Sequence, residues 1–115
     1  MNFHDDLKIT MHKYVKMIYN ITKSFPKDEL YGITSQIRRS SMSVILNYIE
    51  GYARRKGVNC KVYINFLEIS YGSLKESKYL LYFSYEQGLI KEIDYKEILK
   101  LNDKVGKMLW SIIKK

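Results

Sequence analysis

The chain has 115 residues, 46% of them hydrophobic, and a formal net charge of +8. This length suits a single domain over residues 1–115, and the hydrophobic content excludes an intrinsically disordered chain. No apolar run is long enough to cross a membrane, and the first residues lack the apolar stretch of a signal peptide, so we expect a cytoplasmic protein.

The first predicted helix runs from about Asp5 to Ser24. Its apolar residues recur at steps of three and four and form one stripe: Leu7, Met11, Tyr14, Ile18, Ile21 and Phe25. Asp5 or Asp6 is expected to cap the helix and to oppose the positive end of its dipole. Pro26 is expected to end it, because the residue before a proline avoids helical backbone angles.

A turn at residues 24–29 precedes the second predicted helix, which reaches about Tyr52. One face carries apolar and small side chains: Ile33, Ile37, Ser40, Ser41, Val44 and Tyr48. Further apolar side chains lie beside or opposite this stripe: Met42, Ile45, Leu46 and Ile49. A helix that is apolar on more than one face buries more than one face, so we expect a partner there, most simply another copy of this chain.

The third predicted helix extends from about Cys60 to Gln87, and Asn59 is expected to cap it. One face carries Tyr63, Phe66, Ser70, Leu74, Ser77 and Leu81, and a second carries Ile69, Ser73, Leu80 and Phe83. The small residues Gly72, Ser73 and Ser77 are expected to let neighbouring helices approach closely. Gly88 is expected to end this helix.

Asp94 and Glu97 predict a capping box for the fourth helix. Its apolar stripe is Ile98, Leu101, Val105, Met108 with Leu109, and Ile112. No segment alternates as a β-strand does, and the connections are short, which makes sequential helices antiparallel neighbours. The sequence therefore predicts an all-α fold, an antiparallel up-down-up-down four-helix bundle.

Catalytic constellations are missing from the sequence. His4 and His12 are eight residues apart on one helix, about 12 Å along its axis, and cannot bind one metal ion together. Cys60 lies among cations near a helix start, but no histidine or second cysteine accompanies it in sequence, so we expect it to be unreactive and dispensable. We therefore expect no enzyme activity, no cofactor and no metal.

Positive charge is concentrated in residues 31–61, which hold six Lys or Arg and one acid, Glu50. Such a region attracts polyanions, although a lysine-rich solvated surface explains it equally well. The candidates for nucleic-acid contact are Arg38, Arg39, Tyr52, Arg54, Arg55, Lys56 and Lys61. For Arg38 and Arg39, an ion pair with Glu68, Glu76 or another subunit's Glu50 is an equal alternative.

Four motifs in order carry a family resemblance: Phe25–Gly32, Thr34–Arg39, Asn47–Arg54 and Phe66–Glu76. Together with the tail from Ile98 to Ile113, they resemble the four-helix bundle family of 23S ribosomal RNA intervening-sequence proteins. The resemblance implies a bacterial, ring-like homopentamer, and it supplies no catalytic residue. A related branch is the accessory variability determinant of diversity-generating retroelements, a basic pentamer that binds reverse transcriptase and nucleic acid.

The match is uneven along the second helix. Arg38-Arg39 and Glu50-Gly51 fit the family pattern, whereas Ser40-Ser41 replace common alanines and residues 44–46 lack a proline found in many members. The missing proline predicts a straighter helix, and the matching motifs favour the intervening-sequence branch. The functional hypothesis is a non-catalytic oligomer that binds RNA or DNA; the alternative is a protein-binding adaptor, such as an accessory subunit of a retroelement reverse transcriptase.

Overall fold

The computed structural model describes residues 2–55 and 60–115. Its four α-helices are α1 (Phe3–Thr22), α2 (Ser35–Ala53), α3 (Lys61–Glu86) and α4 (Glu92–Ile113). A 3₁₀ turn at Lys27–Glu29 and a π-helical turn at Leu30–Thr34 connect α1 to α2. The described residues include no β-strand. The prediction of an all-α protein with four helices is confirmed.

The helices form a bundle in which each packs against its neighbours in sequence, and α4 also packs against α1. One groove joins the start of α1 to the start of α3 and the end of α4, through Phe3, Tyr63 and Ile112. A groove at the opposite end joins the last turn of α1 to Gly88 and Asp94. The starts of α1 and α3 and the end of α4 therefore lie at one end of a body of 47 × 25 × 20 Å.

One predicted stripe from each helix meets in a single core, which also contains Leu67, a residue that the predicted stripes missed. The second face predicted on α3 is only partly buried, since Ile69 and Phe83 are exposed. The hydrophobic side chains with no exposed surface are Leu7, Met11, Tyr14, Ile18, Ile37, Val44, Tyr48, Leu67, Leu74, Leu81, Ile98, Val105 and Leu109. A serine also hydrogen-bonds between helices inside this core: the Ser70 hydroxyl of α3 donates to the carbonyl of Val44 on α2 at 2.6 Å. The role expected for Gly72 is wrong within this chain, because the glycine faces open space, with no atom within 4 Å of where a Cβ would lie.

Two predicted N-caps are wrong. The side chain of Asn2 caps α1 by accepting from the Asp5 amide at 2.9 Å, so both aspartates lie inside the first turn, where they still oppose the dipole. Helix α4 begins at Glu92 without a side-chain cap, which leaves the expected capping-box residue Asp94 in its first turn. The predicted cap Asn59 lies outside the described residues.

The predicted helix end at Gly88 is confirmed, whereas the one at Pro26 lies beyond the observed end of the helix. Helix α1 ends at Thr22, ahead of Pro26, which serves as the N-cap of the 3₁₀ turn. Gly88 ends α3 as predicted, with φ at +76°. The Leu89 amide donates to the Ser84 carbonyl at 2.9 Å and the Gly88 amide donates to the Tyr85 carbonyl at 3.0 Å, the double closure of a Schellman motif.

Candidate nucleic-acid interface

The predicted contact residues separate into two groups. Arg38 and Arg39 lie near the start of α2, whereas Tyr52 and Arg54 lie at its C-terminal end. Sixteen residues of α-helix separate the two groups by about 24 Å. Lys61 opens α3 beside the second group, and Lys56 lies outside the described residues. The structure therefore brings together Tyr52, Arg54, Arg55 and Lys61, but not the arginine pair.

Arg55 is the most firmly placed cation of this second group. Its guanidinium carbon lies 3.9 Å from the centroid of the Tyr52 ring and 6.0 Å from that of Tyr63. Arg54 instead places its Nε 3.0 Å from an oxygen of Glu50, one helical turn earlier, and packs over Phe66. Arg54 is therefore partly neutralised, while Arg55 keeps its charge on an aromatic support.

His4 is the residue at this end that the sequence reasoning missed. Its ring centroid lies 4.5 Å from that of Tyr52, and its Nδ1 is hydrogen-bonded to the Tyr48 hydroxyl. Partial burial lowers the pKa of His4, and the nearby Arg55 lowers it further. Burial also raises the pKa of Tyr48 and of Tyr63. At neutral pH these three rings are therefore uncharged, and they lie close to the cation Arg55.

A groove opens at this end of the bundle. It is lined by Phe3, His4, Arg55, Tyr63, Ser111, Ile112 and Lys115. Arg55 and Lys115 line it, and together with the other cations at the end of α2, the start of α3 and the end of α4 they are called here the basic end: Arg54, Arg55, Lys61, Lys114 and Lys115. Aromatic faces next to cations can hold a base and a phosphate at once, which gives the groove the chemistry of a nucleotide contact.

The arginine pair at the other end of α2 has different surroundings. Arg38 Nε donates to the Thr22 hydroxyl at 2.8 Å, and its guanidinium carbon lies 4.7 Å from the Tyr19 ring centroid. Within the described chain, the alternative of an ion pair to Glu68 or Glu76 is therefore wrong. Thr22 could not be found from sequence, because its pairing with Arg38 depends on how α1 meets α2.

Polar groups elsewhere offer no metal site in the described part of the chain. There, no three or more His, Cys, Asp or Glu side chains converge as metal ligands would. Cys60 is half-buried at the N-cap position of α3. Over residues 2–55 and 60–115, no helix combines the length and hydropathy needed to cross a bilayer.

These features define the class: a small all-α four-helix bundle with a basic, tyrosine-rich end. The chain belongs to the 23S rRNA-intervening sequence protein family, whose sequence profile matches residues 6–111. In fold it is similar to a crystal structure of a protein with unknown function from the S23 ribosomal protein family of Bacteroides thetaiotaomicron VPI-5482. That similarity has a TM-score of 0.86 at 23% identity and covers 99% of this chain and 100% of the other. No curated protein matches the chain in sequence.

Proposed function

We propose that this protein is a non-catalytic oligomer that binds RNA or DNA through its basic end. The observation that carries the proposal is the placement of Arg55, stacked at 3.9 Å on Tyr52 and sharing a groove with His4 and Lys115. A guanidinium held on a ring loses little freedom when it meets a phosphate, so its contact costs less entropy than that of a free lysine.

The charge balance at this end favours a polyanion. The basic end holds five cations, whereas the adjoining first turn of α1 and last turn of α2 hold three acids, Asp5, Asp6 and Glu50. Glu50 is already engaged by Arg54, and Asp5 lies 3.8 Å from Lys8. The remaining positive charge therefore has few partners among the described residues.

Oligomerisation would multiply these contacts. The apolar face predicted on α2 is exposed in the single chain: Leu46 by 55% and Ile49 by 46%, with Ile69 of α3 exposed by 52%. Contact between copies would cover this surface, at roughly 25 cal/mol per Å² of apolar area buried. The family resemblance points to a homopentamer, in which several basic ends would raise avidity without new contacts.

The test replaces Arg54, Arg55 and Lys61 by alanine and measures binding of fluorescent duplex DNA and single-stranded RNA by anisotropy over a salt series. The matched control removes the same charge from the exposed face of α4, at Lys100, Lys104 and Lys107. We expect the first variant alone to bind more weakly and to flatten the log–log salt slope, by about 0.9 for each duplex phosphate that the protein no longer neutralises.

If both variants lose the same affinity for nucleic acid, binding depends only on the net charge of the protein. This result would contradict a site at the basic end. Absence of binding by the unmodified protein at low salt would reject nucleic acid altogether. The protein-binding adaptor, such as an accessory subunit of a reverse transcriptase, would then be the better hypothesis, because exposed Leu46, Ile49 and Ile69 suit a protein partner.

A further inference from the structure

A second cluster of cations and aromatic rings lies at the end of the bundle opposite the basic end. A groove between α1 and the start of α2 is lined there by Tyr19, Tyr31, Thr34, Ser35, Arg38 and Arg39, next to Leu30. Two motifs that carry the family resemblance, residues 25–32 and 34–39, meet in it. Core packing explains the buried Ile33 and Ile37 of these motifs, but not the polar and aromatic side chains that line the groove.

Arg38 is fixed in this groove without a ligand. Its Nε donates to the Thr22 hydroxyl, which donates in turn to the Ile18 carbonyl, each at 2.8 Å. The guanidinium also stacks over Tyr19. The two terminal nitrogens of Arg38 make no hydrogen bond to the described residues, so a planar pair of donors remains available at small entropic cost.

Thr34 adds a buried polar atom that has no partner. The residue is only 4% exposed, and its Oγ1 finds no hydrogen-bond partner among the described residues. A buried hydroxyl is normally satisfied, so this one calls for a partner outside the described protein atoms. Thr34 precedes Arg38 by one helical turn, as Ser35 precedes Arg39, so each hydroxyl lies on the same side of the helix as a guanidinium.

The charge of the surroundings selects an anion. Arg39 is exposed and forms no ion pair within the described chain, and Lys23 and Lys27 line an adjoining groove together with Arg38. Two acids, Asp28 and Glu29, lie on the neighbouring 3₁₀ turn. Four cations against two acids leave a net positive site, and paired guanidinium groups with hydroxyls are donors suited to phosphate oxygens.

Tyr31 indicates what the anion is attached to. This tyrosine is 94% exposed on the rim of the groove, beside Leu30, which is 45% exposed. An aromatic face next to a phosphate site is a stacking platform for a nucleobase. Inorganic phosphate or a simple carboxylate would leave this ring unused.

We propose that this groove binds a nucleotide, with its phosphate on Arg38, Arg39, Thr34 and Ser35 and its base against Tyr31. The nucleotide can be free or can be the phosphorylated 5′ end of a strand, since both present the same groups. The site is independent of the basic end, so either can exist without the other.

The experiment titrates ¹⁵N-labelled protein with 5′-AMP, inorganic phosphate, adenosine and an RNA octamer with or without a 5′ phosphate. We expect 5′-AMP to bind more tightly than phosphate or adenosine and to shift the amide signals of residues 31–39. Shifts confined to the basic end would overturn the proposal. Equal affinities for 5′-AMP and phosphate would overturn the role of Tyr31.

Three variants separate the contacts. Arg39→Ala should weaken 5′-AMP binding about tenfold or more, since hydrogen bonds to charged groups are the strong ones. Thr34→Val, which keeps the shape and removes the hydroxyl, should also weaken it. Tyr31→Ala should weaken 5′-AMP binding and leave phosphate binding unchanged. Unaltered 5′-AMP affinity in Arg39→Ala and Thr34→Val would reject the site.

The Arg54, Arg55 and Lys61 alanine variant is the control, and it should bind 5′-AMP as the unmodified protein does. Loss of 5′-AMP binding in this control would place the nucleotide at the basic end and overturn the proposal. An Arg39-dependent preference for the 5′-phosphorylated octamer over 5′-AMP would assign the groove to strand ends. Equal affinity for the two would assign it to free nucleotides.

Discussion

A Cβ atom built on Gly51 of α2 would lie only 2.6 Å from the Cβ of Phe66 on α3 and 3.3 Å from the backbone oxygen of Tyr63. No side chain fits between the two helices at this point. The glycine of the Glu50-Gly51 motif is therefore required by helix packing, and the aromatic residues at the start of α3 hold their places because α2 comes this close.

We expect Gly51→Ala to lower the free energy of unfolding by about 1–3 kcal/mol, because the helices must move apart to accept the methyl group. Urea denaturation followed by circular dichroism measures this. Gly72→Ala is the matched control: its Cβ would meet no atom within 4 Å, so it should gain about 0.5–1 kcal/mol from better helix propensity. Equal effects at the two positions would contradict the close packing of α2 on α3.

Arg38 and Arg39 should differ in their contribution to the free energy of unfolding, because Arg38 makes contacts within the bundle and Arg39 is exposed. We expect Arg38→Ala to cost about 1–2 kcal/mol of stability, since it removes the hydrogen bond to Thr22 and the stacking on Tyr19. Arg39→Ala should stay within about 0.5 kcal/mol of the unmodified protein, because Arg39 is exposed. Thermal and urea denaturation of both variants decide this, and a reversed order would refute the assignment.

A buried chain of hydrogen bonds makes stability sensitive to alkaline pH. The Tyr14 hydroxyl pairs with Ser77 at 2.6 Å and accepts from Asn102 at 2.9 Å, and burial raises the pKa of Tyr14 to about 12. The unfolded chain releases this proton near pH 10, so stability is full below pH 10 and falls as pH rises from 10 to 12. The slope for this one group is up to about 1.4 kcal/mol per pH unit.

Absorbance at 295 nm should therefore show a late phase of tyrosine titration, to which Tyr14 belongs. Burial also raises the pKa of Tyr48, Tyr63 and Tyr95, so these three join Tyr14 in the late phase. Tyr14→Phe should remove part of the late phase and make stability fall less steeply between pH 10 and 12. A single titration of all tyrosines near pH 10 would show that these rings are not buried in solution.

The exposed apolar face should control self-association. We expect light scattering to find an oligomer at tens of micromolar protein. The double variant Leu46→Glu with Ile49→Glu should shift the protein toward the monomer while its helicity persists. The reason is that charges at a covered apolar interface must lose their hydration. Ile93→Glu is the control, as Ile93 is 72% exposed at the start of α4. A monomer for the unmodified protein at that concentration would end the oligomer hypothesis.

Periodicity in the sequence determined the helices and the core, because each helix buries a continuous apolar stripe and residues such as Met11, Val44 and Leu109 lie on these stripes. The residue type of Gly88 also predicted the end of α3. Helix starts were less predictable: Asn2 rather than Asp5 or Asp6 caps α1, because several polar residues compete for one position within a turn.

Tertiary structure alone decided which distant residues meet. His4 reaches Tyr48 and Tyr52 because the start of α1 lies beside the end of α2, and Asn102 reaches Tyr14 because α4 packs against α1. The sequence groups the arginine pairs Arg38-Arg39 and Arg54-Arg55 in one basic region, but the two pairs lie near opposite ends of α2. A sequence records spacing along one helix, whereas contacts between helices depend on their packing, as the approach of Gly51 to Phe66 illustrates.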